Sequence, residues 1–276
     1  MIEPIRVTDA DDPRLADYRH LRDADIRRSV EGDAFLIAEG VAVVRRLAAS
    51  GLSVRSVLLT PQRFDSMIDS LAHLECPIYV AAPEVVAGTA GFNLHRGVVA
   101  AAERPQPSTL DDVMRREPLD GRRHRLAVLE GVNDHENLGA IARAARAFAI
   151  DALVLDPTCA DPYYRRAVRV SMGEMLFLHI VRASVADVID FCARRGGASW
   201  ALTPSHDADD IRECAHGSFD PLALLFGAEG PGLSDATMQG ATRRVRIPIS
   251  HHVDSLNVGH AAAVTFALTS STTQIR

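Results

Sequence analysis

Apolar and polar positions set up an alternation of helix and strand that runs through the chain and restarts once. The stretch AFLIAEGVAVVRRLAAS carries apolar residues at helical spacing and predicts a helix. VRSVLLT is a short β-branched run that predicts a strand; PQRFDSMIDSLAHL reads as helix, CPIYVA as strand, PEVVAGTA as a short helix and GVVAAAE as a closing strand. This alternation predicts a small layered α/β domain over residues 1–105. ERPQPSTLDDVMRREPLDGRRHR is rich in proline and charge, which places a linker at 106–124 with room for a short helix inside it.

From Leu126 the rhythm begins again. LAVLE predicts a strand, Asn137 opens a helix through Phe148, and ALVLD is a strand. After a loop with Pro157 and Pro162, a helix starts near Tyr164; MLFLHIV reads as strand, VADVIDFCARR as helix and SWALTP as strand. LALLFG is a strand, Ser234 caps a short helix, RVRIPI is the last strand and Asn257 opens a closing helix. The expectation for 125–276 is an α/β domain, a mainly parallel sheet with helices on both faces.

Composition narrows the function classes. Apolar residues make up 47% of the 276 positions, enough for two cores and too many for a disordered chain. No apolar run approaches the ~18 residues of a membrane helix. The start, MIEPIRVTDADDPRL, lacks an apolar signal segment, so a cytoplasmic location away from the membrane is expected. Cys76, Cys159, Cys192 and Cys214 are widely spaced and read as thiols. All 30 basic residues are arginine. That excludes a Walker-A lysine, a pyridoxal Schiff base and the usual kinase lysine, so the glycine-rich segments are no ordinary P-loop.

A net charge of −6 argues against strong nonspecific nucleic-acid binding, yet arginine gathers locally. Arg115, Arg116, Arg122, Arg123 and Arg125 form one group, Arg243, Arg244 and Arg246 another. Arg165, Arg166 and Arg169 follow Tyr163 and Tyr164, a mixture suited to stacking on bases and holding phosphates. These three are the candidate RNA contacts; any one cluster alone reads as solvated surface arginine, and only three in one half of the chain point to a basic face.

Three segments carry the candidate chemistry. In NLGAIARAARAF, Leu138, Ile141, Ala145 and Phe148 fall on one helical stripe, Arg143 and Arg146 lie off it, and Asn137 stands at an N-cap position. In LLFGAEGPGLS an apolar strand containing Leu225 runs into Gly227, Glu229, Gly230 and Gly232, where backbone can face a ligand beyond the strand end. In IPISHHVDSLNVGHAAAV a strand ends at Ile247-Pro248, and Ser255, Leu256 and Asn257 open a helix of small residues. His251, His252 and His260 lack metal-ligand spacing, so no metal is expected. Taken singly, each segment is equally a capped helix or a tight turn.

In this order the three resemble the motifs of the SpoU/TrmH family of RNA 2'-O-ribose methyltransferases. The family's Asn, Gly and Arg fall on Asn137, Gly139 and Arg143; its Gly and Glu pattern on Gly227, Gly230 and Gly232 around Glu229; its Ile-Pro and Ser-Leu-Asn on Ile247, Pro248, Ser255, Leu256 and Asn257. Arg169, Ser171 and Gly173 also look family-like, whereas Gly259-His260 stands where the family more often has Ser-Val. The resemblance implies a deep trefoil knot in the C-terminal domain, S-adenosylmethionine as cofactor, and a homodimer formed through that domain with sites near the interface. It implies catalytic roles for Asn137, Arg143, Glu229, Ser255 and Asn257, and cofactor contacts from Leu225, Gly227, Gly230, Gly232, Ile247, Pro248 and Leu256. The N-terminal domain resembles a ribosomal-protein-like RNA-binding domain, with Glu39-Gly40 and His95-Arg96-Gly97 as its marks. The expected substrate is a ribose 2'-hydroxyl, of ribosomal RNA ahead of tRNA; the alternative is a non-catalytic RNA-binding or ribosome-assembly protein on the same scaffold.

Overall fold

The computed structural model describes residues 3–21, 34–94, 96–119, 121–214 and 219–270. His95 lies outside them. The chain divides into two units: residues 1–106 with 163–176, and residues 107–162 with 177–276.

The first unit holds a mixed five-stranded sheet in the order β1-β4-β3-β5-β2. Its strands are β1 (Ile5–Val7), β2 (Phe35–Glu39), β3 (Val54–Leu59), β4 (Ile78–Ala81) and β5 (Val98–Glu103), with helices α1 (Val41–Ala49), α2 (Pro61–Leu71) and α3 (Pro83–Ala90) between them. One expectation fails here. AFLIAEGVAVVRRLAAS is not a single helix: Phe35–Glu39 forms β2, antiparallel to β5, and the helix starts only after Gly40 at φ +97°. All five residues of β2 are buried, and a strand buried on both faces shows no period-2 alternation.

The second unit is a seven-stranded sheet in the order β10-β12-β9-β11-β6-β7-β8, every pair parallel. In chain order come α4 (Leu110–Met114), β6 (Arg125–Glu130), α5 (His135–Ala147) and β7 (Ala152–Leu155). The chain then contributes α6 (Arg165–Val170) to the first unit before resuming with β8 (His179–Arg182), α7 (Val185–Arg194), β9 (Ala198–Leu202), β10 (Asp209–Asp210), α8 (Ile211–Cys214), β11 (Leu222–Gly227), α9 (Asp235–Gly240), β12 (Arg243–Arg246) and α10 (Val258–Thr269). The parallel sheet with helices on both faces is as expected. On β11, Leu225 joins the core beneath α7 with Val128, Val185 and Val188, while its neighbour Phe226 meets Phe266 of α10 edge-on, ring centroids 5.6 Å apart.

MLFLHIV is only half strand. Glu174–Phe177 is a 3-10 turn, and β8 begins at His179. The stretch read as a linker is packed: Thr109 and Asp112 form a capping box on α4, Val113 is buried in the core, and the Leu119 N–H donates to Asp151 at 2.7 Å. The first arginine cluster turns inward at its end. Arg125 is fully buried, and its guanidinium donates to the carbonyls of Phe148 and Ala149 after α5 and of Phe266 in α10. One cation thus fastens the C-terminal ends of α5 and α10, where its charge also suits both helix dipoles.

Candidate active site

The two helices that Arg125 fastens at one end open the site at the other. Their first turns, together with the loops after β9, β11 and β12, line the carboxyl edge of the sheet, where open parallel sheets bind ligands.

The loop after β11 is the tightest element. A Cβ on Gly227 would lie 2.0 Å from the Gly232 carbonyl carbon and 2.2 Å from the Leu233 nitrogen, so the chain crosses its own backbone with no space for a side chain. Gly232 donates its N–H to the Ala228 carbonyl at 3.0 Å, and Gly230 and Gly232 hold φ of +90° and +72°. This turn floors a cavity of about 460 Å³, within the range of small-molecule sites. Leu202 at the end of β9 with Thr203 and Pro204 after it, Ile247 and Ile249 after β12, and Ser255, Leu256 and Asn257 before α10 complete its walls.

At the rim Asn257 joins all three motifs. Its Oδ1 caps α10, accepting from the N–H groups of Gly259 (2.9 Å) and His260 (3.3 Å). Its Nδ2 donates to Asn137 Oδ1 at 2.8 Å and to Glu229 Oε1 at 2.6 Å. Segments more than a hundred residues apart in sequence therefore share one amide group.

Placement of the remaining residues is uneven. Gly227, Glu229, Gly230, Gly232, Ile247, Ser255, Leu256 and Asn257 line the cavity. Pro248 is absent from its walls, and Leu225 is wholly in the core, because strand alternation sends its side chain toward α7. Asn137 is no N-cap: Asp134 caps α5, accepting from Glu136 (2.9 Å) and Asn137 (2.8 Å), so Asn137 sits one turn inside with its side chain available to Asn257. Arg143 lies on the exposed face of α5, outside the cavity lining, with no hydrogen-bond or ion-pair partner among the described residues. It is six residues beyond Asn137, ~9 Å along the helix.

The arginine groups are more engaged than sequence suggested. In the first unit Arg165 pairs with the buried Glu39 and donates to the Leu21 carbonyl, and Arg169 reaches the same carboxylate at 3.4 Å. Arg166 is exposed. In the second, Arg243 donates to Cys214 (3.1 Å), Arg244 to Asp207 (2.8 Å) and Arg246 to the Ala208 carbonyl (3.1 Å), so that group is tied to the segment around β10. Among the described residues no group of His, Cys, Asp and Glu is arranged to hold a metal ion, and no helix is long and apolar enough to cross a membrane. Sequence reading missed Leu202, Thr203, Pro204 and Phe226 as cavity walls; their only signal is a position at or just past the end of a parallel strand.

Comparison with known proteins agrees with this geometry. The model of the SpoU rRNA Methylase family matches residues 124–267. A tRNA/rRNA methyltransferase of Mycobacterium bovis is 46% identical over 94% of this chain and 89% of its own. A 23S rRNA (guanosine-2'-O-)-methyltransferase of Ralstonia nicotianae is 30% identical over 81% of this chain and 90% of its own. The crystal structure of an AdoMet-bound rRNA methyltransferase from Sinorhizobium meliloti superposes with a TM-score of 0.77 at 24% identity, covering 96% of each chain. The chain belongs to the SpoU rRNA methylase family, whose members are RNA methyltransferases.

Proposed function

We propose that this protein transfers the methyl group of S-adenosylmethionine to a ribose 2'-hydroxyl of ribosomal RNA. The observation that carries the reading is the Asn257 amide, which ties Asn137 and Glu229 together at the rim of the glycine-floored cavity. The cavity fits a nucleoside-bearing donor. Gly227 adds no side chain to the turn, while Leu202, Ile249 and Leu256 offer apolar surface for a flat base. Gly227, Gly230, Gly232, Ile247 and Leu256 would hold the donor. When bound it supplies a methyl group already activated by a sulfonium, so the protein's task is to place and activate the hydroxyl.

Arg143 offers only N–H donors and a delocalised positive charge, and serves as a charge-assisted donor to the neighbouring phosphate or to the developing alkoxide. An exposed guanidinium with no partner among the described residues supports that role. Ser255 and Asn137 orient the hydroxyl by hydrogen bonds, and Glu229 holds Asn257 in place from the loop side. The chain acts as a homodimer through its second unit. In support, α10 exposes Val264 and Leu268 one turn apart, and Ile249, Val253 and Leu256 are exposed near the rim. The first unit holds the RNA, with Arg166 as a contact; the second carries a trefoil knot.

The preference for a ribose oxygen draws on the Ralstonia relative, and the relatives named for tRNA as well as rRNA keep tRNA as the second substrate. The test is transfer of labelled methyl from S-adenosylmethionine to purified rRNA and tRNA, followed by alkaline hydrolysis, which a 2'-O-methyl blocks at one linkage. Label in rRNA at an alkali-resistant dinucleotide is expected. Label on a base refutes ribose transfer; donor binding with no transfer to either RNA favours an assembly protein on the same scaffold.

A further inference from the structure

The turn from Gly227 to Gly232 has little within itself to keep its shape. One backbone bond closes it, and two of its glycines hold positive φ. Glycine loses more conformational freedom on ordering than any other residue, so such a turn keeps one form only if both ends are fixed. The entry is fixed by the sheet, where Gly227 lies opposite Glu130, the last residue of β6. The exit is Ser234, and the Glu130 side chain reaches it. Oε2 of Glu130 accepts from the Ser234 N–H at 3.0 Å, and Oε1 accepts from Ser234 Oγ at 2.7 Å and from Thr237 Oγ1 at 2.9 Å. A single residue therefore grips the way in with its backbone and the way out with its carboxylate. Glu130 is not part of the cavity wall; with Ser234 and Thr237 it borders a separate cleft of about 350 Å³.

We propose that Glu130 is a positioning residue for the methyl donor, holding the Gly227–Gly232 turn in its receiving shape through Ser234 and Thr237, on the reading that the cavity is the donor site. Hydrogen bonds to an ionised acceptor are the stronger kind, and glutamine has one acceptor oxygen in place of two. Glu130→Gln therefore loosens the exit of the turn without itself removing any of the hydrogen bonds that Asn257 makes.

The test uses the full chain, with S-adenosylmethionine titrated calorimetrically against the unaltered protein, Glu130→Gln, Thr237→Val and the double variant, alongside thermal melting and steady-state methylation. Glu130→Gln is expected to raise Kd and KM for the donor about tenfold, the loss of roughly one charge-assisted bond, with kcat at saturating donor and KM for RNA little changed. Thr237→Val, nearly isosteric, shows a smaller rise and carries the test if the glutamine variant does not fold. The double variant is no weaker than Glu130→Gln alone, because both act through one link. A purely structural role would lower the melting temperature without separating KM from kcat, and that result overturns the proposal, as does unaltered donor affinity in both variants. No binding by the unaltered protein overturns the donor-site reading itself.

Discussion

Gly227→Ala tests whether a backbone crossing shapes the donor cavity. The added methyl would stand 2.0 Å from the Gly232 carbonyl carbon, 2.2 Å from the Leu233 nitrogen and 2.3 Å from the Gly232 oxygen. Carbon atoms in contact sit about 3.5–4.0 Å apart, so the returning strand of the turn must retreat by more than about 1 Å. Every atom in the way is backbone, and no change of rotamer relieves the clash. The 3.0 Å bond from Gly232 to Ala228 breaks, and the floor of the cavity shifts with it. Overpacking of this kind costs about 1–3 kcal/mol, which a domain of this size survives. A misplacement of about 1 Å at a catalytic site costs roughly a hundredfold in rate. The variant should therefore fold, melt a few degrees lower, and lose about a hundredfold in donor affinity or turnover. Gly230→Ala is the control: no atom lies within 4 Å of its new methyl, and only the φ of +90° opposes it. That strain costs about 1–3 kcal/mol at a flexible tip, so its effect on affinity is the smaller. Calorimetric titration of S-adenosylmethionine into both variants, with circular dichroism to check the fold, decides the matter. Gly227→Ala binding within threefold of the unaltered protein would refute the reasoning, since the crossing would then be incidental.

Three further outcomes are expected. Arg143→Ala should leave donor affinity unchanged and lower methyl transfer about a hundredfold or more, as removal of a transition-state donor does; near-normal turnover in a labelled-methyl assay removes Arg143 from the mechanism. Asn257→Asp keeps the α10 cap but loses both Nδ2 donors and sets a carboxylate against Glu229, so activity should fall at least about tenfold with little loss of stability; equal activity in the two proteins contradicts the junction. For His124, burial opposes the charged ring, but the Arg116 carbonyl on Nε2 (2.9 Å) and Asp220 on Nδ1 (3.0 Å) outweigh it and raise its pKa. A raised histidine pKa adds stability that is full below the unfolded value of about 6.5 and is lost as pH rises through the folded value. Melting temperature should thus decline from pH 6 upward, and His124→Gln should flatten that decline; an unchanged slope removes the ring from the account.

What the sequence disclosed, and what it hid, follows from the forces at each position. β11 was legible because an apolar run ends abruptly in glycine, and α10 because Asn257 precedes small residues; β12 was legible only in part, since it is Arg243–Arg246 and the Ile247-Pro248 read as its end lies beyond it. β2 was hidden because complete burial erases alternation, leaving Phe35–Glu39 indistinguishable from the helix that follows. At the start of α5 the chain offers Asp134 and Asn137 as caps; the aspartate wins, and only its victory leaves the asparagine side chain for Asn257. Motif order located Glu229, Ser255 and Asn257 on one cavity, but nothing in the spacing foretold that the Asn257 amide would tie Glu229 to Asn137. Glu130 was passed over because a charged strand end looks like ordinary solvent exposure, and its partner lies 104 positions away. Arg165 seemed free for RNA because its partner Glu39 belongs to a distant segment.

An asparagine side chain can ordinarily turn over, exchanging oxygen for nitrogen with little change in shape. At position 257 that freedom is gone: the oxygen answers two amides at the head of α10 and the nitrogen faces two acceptors, so reversal would set four contacts wrong at once. The direction of the protons on this amide is thereby dictated by the backbone of a helix. It passes through Asn257 to Asn137, whose oxygen is already taken and whose nitrogen has hydrogens to give. Whatever arrives there is asked for lone pairs, a demand that a sugar or phosphate oxygen meets and an ammonium group does not.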